Sequence, residues 1–253
     1  MIDSFWSIPL LFITGIIAGL VDSITGGGGL ITIPVLLGIG LPPQVALGTN
    51  KFQASFGSLT ATAYHLRKKN IELHNAWPGV FSTLVGAALG AWAVQQLDAN
   101  SLGKIIPFML AGILLYTFFV PKLGDLDTAP RVARTPFFVV AGLALGFYDG
   151  FFGPGVGSFW AIAFVALLGF NLSRATGYTK LMNFTSNIVS FAVFAIGGHV
   201  WVASGIAMGI GQIIGARLGS GLVVKKGAAF IRPIFIAMVV IIILKVFYDK
   251  FIA

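Results

Sequence analysis

Long apolar runs cover almost the whole of this 253-residue sequence. Several of them exceed the roughly 17–25 residues that a helix needs to cross the hydrocarbon core of a bilayer. Only 9% of the residues are charged, whereas a soluble domain typically carries about 25%. Because lipid offers no partner to backbone N–H and C=O groups, such runs are expected to be helical. The sequence therefore predicts an all-α polytopic membrane protein.

The apolar runs divide into ten candidate helical segments. The first is expected to be retained structure, because the opening residues lack the basic start and cleavage site of a secretory signal. The second and seventh look too short to span alone and are expected to be re-entrant or Gly-broken helices, which gives eight to ten membrane segments. The predicted segments are approximately 5–24, 29–40, 43–66, 74–97, 101–120, 136–152, 157–170, 172–196, 201–224 and 229–249.

The two halves of the sequence repeat one pattern. Residues 15–22 (GIIAGLVD) align with residues 142–149 (GLALGFYD) at an offset of 127. Generic packing of small residues in membrane helices could produce part of this match, but not an Asp and a Lys in the same order. We therefore predict an internal duplication. Gly26 with Gly153 and Gly28 with Gly155 align at the same offset. After a two-residue insertion in the second half, the offset is 129, and the aligned pairs are Gly48 with Gly177, Lys51 with Lys180, Gly86 with Gly215, and Gly90 with Gly219.

Basic residues predict that the two halves have inverted topology. Residues 67–69 (RKK) follow the third segment, whereas their counterpart, residues 197–199 (GGH), contains no Lys or Arg. Because short basic loops stay cytoplasmic, the two loops are expected on opposite faces of the membrane. The predicted units are a first membrane repeat at 1–121, a cytoplasmic linker at 122–135 and a second membrane repeat at 136–253.

Composition argues against several functional classes. The net charge of +8 resides mainly in short loops beside apolar runs, where it sets orientation and does not indicate nucleic acid binding. Cys is absent and the three His are dispersed, which argues against disulfides, thiolate catalysis and a metal site. The glycines at 26–29 lack the Gly-Lys-Ser or Gly-Lys-Thr of a phosphate loop. We expect neither an enzyme nor a cofactor.

Each half contains an Asp followed by a glycine-rich break in an apolar run. The first break, residues 26–29, follows Asp22, and the second, residues 153–155, follows Asp149. A helix that restarts after a break presents free N–H groups and a partial positive charge, which suit an anion. Inverted repeats with discontinuous helices commonly bind substrate near the bilayer midplane. The alternative is that the glycines only allow close helix packing.

Lys51 and Lys180 each lie about eight residues inside a predicted helix. At 1.5 Å per residue they are roughly 12 Å from its start, near the middle of a 30 Å core. A cation at this depth is costly unless it faces a cavity, an anion or a carboxylate. Asp149 and Asp22 are the expected partners, acting as ion pairs or as coupling groups. Alternatively, the lysines snorkel or merely neutralise an Asp.

Amide and hydroxyl side chains accompany the two lysines on the same predicted helices. Lys180, Asn183 and Asn187 share one helix face, because they follow one another at steps of three and four residues. Gln212 adds an amide in the ninth segment. The predicted substrate-binding residues are Gly26, Gly27, Gly28, Thr49, Asn50, Lys51, Gln53, Gly153, Gly155, Thr179, Lys180, Asn183 and Gln212.

Histidine and tryptophan residues near predicted segment ends are interpreted as interfacial. His65 lies two residues before Arg67 at the predicted cytoplasmic boundary. Trp77 and Trp160 also fall near segment ends, and Trp is enriched where lipid meets water. No substrate role is expected for these side chains.

Several runs resemble a known family. Residues 22–30 (DSITGGGGL), 33–34 (IP) and 48–51 (GTNK) resemble the sulfite exporter TauE/SafE family, also called the 4-toluene sulfonate uptake permease family. Residues 146–154 (GFYDGFFGP) and 211–217 (GQIIGAR) are similar to its YfcA-like branch. The resemblance implies a transporter of small anions in the bacterial cytoplasmic (inner) membrane.

We therefore expect a multi-pass secondary transporter that works by alternating access. It is expected to export a small anion such as sulfite, an organosulfonate or a carboxylate. The expected partners are this anion, the lipid bilayer and a second copy of the chain in a homodimer. A passive anion channel and a membrane assembly protein without transport are the alternatives.

Overall fold

The structure is a computed structural model that describes residues 7–119 and 127–226. Across these residues the chain forms helices and no strands, which confirms the predicted all-α class. The tenth predicted segment, 229–249, lies outside the described residues, as does 120–126 at the predicted linker. The helices are α1 (Ser7–Thr25), α2 (Gly29–Gly38), α3 (Pro43–Arg67), α4 (Leu73–Gln95), α5 (Ala99–Phe119), α6 (Arg134–Phe151), α7 (Val156–Leu168), α8 (Leu172–Ile196) and α9 (Val202–Lys226).

The second and seventh helices are short, as the sequence predicts. Helix α2 has 10 residues and α7 has 13. At 1.5 Å per residue they measure only about 15 and 20 Å, less than a hydrocarbon core of roughly 30 Å. Each follows a glycine-rich interruption, after α1 and after α6 respectively. The apolar helices are therefore interrupted at both predicted positions, between α1 and α2 and between α6 and α7.

Two stretches of the described helices are long and apolar enough to cross a bilayer by length and composition alone. They are α4 and residues 202–221 of α9. Helices α3 and α8 each have 25 residues, but both bury many polar side chains. Length and hydropathy therefore do not give the number of spans, and the count of eight to ten stays a prediction.

Helices from the two halves of the chain interleave. Helix α4 packs along α6, α1 packs along α9, and α3 contacts α8 between them. Glycines allow the main chains of α4 and α6 to approach closely. A Cβ added at Gly86 would overlap the carbonyl oxygen of Leu143, and one added at Gly90 would overlap that of Phe147. This is the close packing that small residues permit between membrane helices.

The contact between α1 and α9 uses glycines in the same way. A Cβ added at Gly215 would overlap the carbonyl oxygen of Ile16, and one at Gly219 would meet that of Leu20. The glycines thus contribute to packing as well as to the breaks. Their packing positions α1 and α6, which carry Asp22 and Asp149, beside the central α3 and α8.

Two residues that were predicted at the membrane interface lie inside the protein. Trp160 is fully buried, and its ring stacks on Phe164 with a centroid separation of 5.1 Å. The prediction was wrong because short α7 packs against α6 and α8, so its middle is core. His65 is also buried, and its Nδ1 pairs with the amide of Asn70 at 3.1 Å. Trp77, by contrast, is exposed.

Candidate functional site

Two buried ion pairs join the two halves of the chain. Lys51 Nζ of α3 lies 2.5 Å from Asp149 Oδ1 of α6. Lys180 Nζ of α8 lies 3.0 Å from Asp22 Oδ2 of α1. Both lysine side chains are only 1% exposed, so each cation is held by a carboxylate from the other half. A buried charge persists under these conditions because its partner offsets the lost hydration.

Glycines in the left-handed region follow the helices that carry the two aspartates. Gly26 has φ +77° just after α1, and Gly153 has φ +102° shortly after α6. Residues with a side chain rarely adopt this conformation. A Cβ added at Gly153 would also lie 2.6 Å from Lys51 Nζ and 2.8 Å from Asp149 Oδ1. Glycine here permits the turn and leaves room for the ion pair.

The two glycine-rich breaks lie against each other. A Cβ added at Gly26 would lie 2.5 Å from the Cα of Gly157, in the first turn of α7. One added at Gly29, the first residue of α2, would lie 3.2 Å from Cγ of Pro154 in the second break. The starts of the two short helices therefore converge on one region.

A small cavity lies in this region, with about 30 Å³ open to the centre of a water-sized sphere. Gly29 and Val156, the first residues of α2 and α7, belong to its wall, so both helix N-termini face it. A helix N-terminus carries a partial positive charge and favours anions. The lining residues are Asp22, Gly26, Gly29, Asn50, Lys51, Ala54, Asp149, Gly153, Val156, Asn183 and Asn187.

The asparagines of the cavity differ in their hydrogen bonding. Asn50 Oδ1 accepts from the Gln53 amide at 2.9 Å and from the Thr32 hydroxyl at 2.5 Å. Asn183 is 3% exposed, and its Oδ1 has no hydrogen-bond partner among the described residues. Leaving a buried acceptor unpaired is costly. Asn183 is therefore a group whose hydrogen bonding a ligand or water in the cavity would complete.

Some predicted substrate residues lie beside the cavity and not on its wall. The Thr49 hydroxyl accepts the N–H of Trp201 at 2.9 Å. Gln212 Oε1 packs against Gly19 and Gly57. A Cβ added at Gly19 would lie 2.9 Å from this oxygen, and one added at Gly57 would lie 2.3 Å from it. Of the predicted residues, Asp22, Gly26, Asn50, Lys51, Asp149, Gly153 and Asn183 line the cavity, whereas Gly27, Gly28, Thr49, Gln53, Gly155, Thr179, Lys180 and Gln212 do not.

Ser186 belongs to the site although sequence reasoning missed it. Its hydroxyl donates to Asp149 Oδ2, so both oxygens of this carboxylate accept hydrogen bonds. The aligned position in the first half is Gly57, and the repeat therefore gave no signal. The step of three residues from Asn183 was the available signal, because it puts Ser186 on the same face of α8.

The two aspartates have unequal surroundings. The Asp149 side chain is 3% exposed, whereas that of Asp22 is 21% exposed. Asp22 Oδ1 accepts the N–H of Gly28 at 3.3 Å, which is longer than a typical hydrogen bond. Lys180 donates to the main-chain oxygen of Asp22 as well as to its carboxylate. Asp22 is thus the carboxylate more open to the cavity.

Comparison with known proteins assigns the chain to a family. The sequence model described as "Sulfite exporter TauE/SafE" matches residues 11–246. The chain belongs to the sulfite exporter TauE/SafE family. This confirms the resemblance carried by residues 22–30 and 211–217. One similar TauE/SafE relative, "Probable membrane transporter protein" of Haemophilus influenzae, is 46% identical over 243 residues, covering 96% of this chain and 95% of its own.

Further TauE/SafE relatives carry similar names. "Probable membrane transporter protein YfcA" of Escherichia coli K12 is 46% identical over 241 residues, covering 95% of this chain and 90% of its own. "Probable membrane transporter protein YunE" of Bacillus subtilis is 25% identical, covering 85% and 88%. No solved structure matches the chain. The names describe membrane transport, which agrees with the predicted membrane class, and they specify no substrate.

Proposed function

We propose that this chain is a multi-pass secondary transporter that moves a small anion across the bacterial cytoplasmic membrane by alternating access. The observation that carries the proposal is the cavity at which the two glycine-rich breaks meet. Lys51 and the N-termini of α2 and α7 supply positive potential there, and Asn50 and Asn183 supply amides. Broken helices around a central site are a recurring transporter arrangement. Family membership supports the same conclusion.

We further propose that residues 1–121 and 136–253 are inverted repeats joined by a cytoplasmic linker at 122–135. The helix contacts support this, because Gly86 meets Leu143 while the aligned Gly215 meets the aligned Ile16. The cavity supports it too, since eight of its lining residues fall into aligned pairs. These pairs are Asp22 with Asp149, Gly26 with Gly153, Gly29 with Val156, and Ala54 with Asn183.

The substrate in this proposal is sulfite or another small oxyanion, such as an organosulfonate or a carboxylate, and the direction is export. The cavity has only about 30 Å³ open to the centre of a water-sized sphere, which is room for about two water molecules. Large organic anions are therefore disfavoured. The oxygens of a small oxyanion would accept hydrogen bonds from Lys51 and from N–H groups at the helix starts.

The ion pairs give alternating access a structural basis. Each pair ties a helix of one half to a helix of the other, so a relative movement of the halves must alter them. An anion in the cavity can replace a carboxylate as the partner of a lysine during this movement. The predicted homodimer stays a prediction.

The first test is exchange of labelled anions by the purified protein in liposomes. Vesicles preloaded with unlabelled sulfite, methanesulfonate or acetate are expected to take up the same labelled anion by saturable counterflow. Lys51→Ala should lower apparent affinity about ten- to hundredfold, because a charge-assisted hydrogen bond contributes about 1.5–3 kcal/mol. Lys180→Ala should act in the same direction, since it leaves Asp22 unpaired beside the anion.

Lys104→Ala is the matched control, because Lys104 is an exposed lysine of α5 far along the chain from the breaks. It is expected to exchange anions like the wild type. Flux that neither saturates nor shows counterflow would favour a channel. Wild-type affinity in both Lys51→Ala and Lys180→Ala would contradict the proposed site.

A further inference from the structure

The charges around the cavity are already balanced before any substrate enters. Lys51 is paired with Asp149 and Lys180 with Asp22, so the two pairs together carry no net charge. A monovalent anion that enters such a site adds one uncompensated negative charge. Burying an unpaired charge is strongly unfavourable. The partial positive charges at the N-termini of α2 and α7 attract the anion without a full counter-charge, so the site favours a positive charge that arrives with the anion.

We infer that a proton enters with the anion, and that Asp22 is the carboxylate that carries it. The inference rests on the proposed transport function and adds the coupling ion and its residue. A proton and a monovalent anion that cross together carry no net charge, so export requires an outward anion gradient that exceeds the inward proton gradient. When Asp22 binds the proton, its carboxylate becomes neutral and Lys180 is left with an uncompensated positive charge. That charge then attracts the anion. The proton comes from a hydronium ion in the cavity, whose O–H bond breaks as the carboxylate O–H bond forms and which leaves as water.

Asp22 suits this role better than Asp149. Asp149 accepts from Lys51 at 2.5 Å and from the Ser186 hydroxyl. Beside Lys180, the second partner of Asp22 is only the Gly28 N–H at 3.3 Å. The Asp149 side chain is also 3% exposed, against 21% for Asp22. Asp149 is thus enclosed by two close donors, while Asp22 keeps a surface that water in the cavity can reach.

Lys180 is arranged to stay in place when its carboxylate partner is neutralised. Its ammonium also donates to the main-chain oxygen of Asp22, which no proton can remove. Lys51 has no equivalent main-chain contact to Asp149 among the described hydrogen bonds. Protonation of Asp22 therefore frees the charge of Lys180 without releasing its ammonium from α1.

Few other charged groups face Asp22. Lys51 of α3 and Asp149 of α6 line the same cavity, but they neutralise each other. His65 of α3 is buried and packs against Gly177 of α8, three residues before Lys180. Arg217 of α9, the helix packed along α1, is exposed. In the described parts of α2 and α7 there is no charged residue. Lys180 is thus the dominant charge on Asp22.

The test uses the liposome assay with the outside more acidic than the lumen. Labelled methanesulfonate is the substrate, and labelled sulfite is measured alongside it. Methanesulfonate stays ionised at any pH the protein tolerates, so its accumulation cannot come from diffusion of a neutral acid. We expect wild-type protein to accumulate it, and to lose accumulation when an ionophore collapses the gradient. Asp22→Asn should lose the response to the gradient and show a slower, pH-independent counterflow, whereas Asp22→Glu should regain the response.

Asp98→Asn is the matched control, because Asp98 is an exposed carboxylate at the start of α5, and it should keep the gradient response. A gradient response that persists in Asp22→Asn would overturn the assignment to Asp22. Wild-type counterflow that ignores the gradient would overturn proton coupling and leave the transport function standing. Failure of the wild type to exchange any anion would instead overturn the proposed function.

A measurement on the wild type alone guards against misfolding of Asp22→Asn. Methanesulfonate, which does not itself take up or release protons, is added to purified protein in weakly buffered detergent solution that contains a pH indicator. Binding should withdraw protons from the medium, since anion and proton occupy the site together. Anion binding without proton uptake would overturn the inference.

Discussion

At the scale of single residues, the buried lysines stabilise the protein only while their carboxylates remain. Lys51 and Asp149 are both almost completely enclosed, so removing one leaves the other as an uncompensated charge. Such a loss typically costs 3–5 kcal/mol in folded proteins, whereas replacing both partners by apolar residues is often close to neutral. The ion pair is therefore better explained by function than by stability.

We accordingly expect Lys51→Met to be much less stable than the double variant Lys51→Met/Asp149→Leu. The single change should lower the free energy of unfolding by about 3–5 kcal/mol, and the double change by markedly less. Thermal unfolding in detergent measures both. The double variant should nevertheless fail to exchange anions. Equal destabilisation of the two variants would argue that the pair itself holds the fold together.

The sequence predicted some contacts of these residues and not others. The depth of Lys51 and Lys180 in apolar helices demanded carboxylate partners, and few carboxylates were available in the membrane segments. Nothing in the sequence required the hydrogen bond from Ser186, because a serine hydroxyl in a helix can donate to a backbone carbonyl of the preceding turn instead. Trp160 was misplaced because position along a segment does not reveal whether that segment faces lipid or protein.

At the scale of helices, glycine sets how closely neighbouring main chains approach. Helices α4 and α6 meet through Gly86 and Gly90, and a side chain at either position would displace α6, which carries Asp149. The apolar runs predicted where the helices lie, since loops and glycine clusters interrupt them clearly. Which helices touch was not predictable from hydropathy, because nearly every face of these helices is apolar.

We expect Gly90→Val to destabilise the protein by at least about 1–3 kcal/mol, the usual cost of overpacking. Gly112→Ala is the control, because nothing lies within 4 Å of a Cβ added there. Gly112→Ala should raise the free energy of unfolding by no more than about 1 kcal/mol. Unfolding in detergent compares the two, and equal effects would show that the α4–α6 crossing tolerates separation.

At the scale of the whole molecule, inverted repeats require that equivalent loops face opposite sides of the membrane. Residues 67–69 and 197–199 are the equivalent loops with the clearest charge difference. The positive-inside rule predicts that the first loop lies in the cytoplasm. Since the chain contains no Cys, single cysteines can report the orientation without background.

Lys68→Cys is therefore expected to react with an impermeant maleimide only from the cytoplasmic side. Ile196→Cys, at the 88% exposed end of α8, should react only from the opposite side. The measurement compares maleimide labelling of intact cells with labelling of inverted membrane vesicles. Arg131→Cys in the linker serves as a control and should follow Lys68→Cys. Labelling of Lys68→Cys and Ile196→Cys from one side would contradict inversion.

The crossed ion pairs also bear on how the protein is made. Asp149 follows Lys51 by 98 residues, and Lys180 follows Asp22 by 158. At synthesis rates of about 5–20 residues per second, Lys51 waits roughly 5–20 s for its carboxylate to be translated. During that interval Asp22 and Lys51 lack the partners that they have in the folded protein. The helices of the N-terminal half can complete their packing only after the C-terminal half has entered, so the ribosome's pace limits when the site can form.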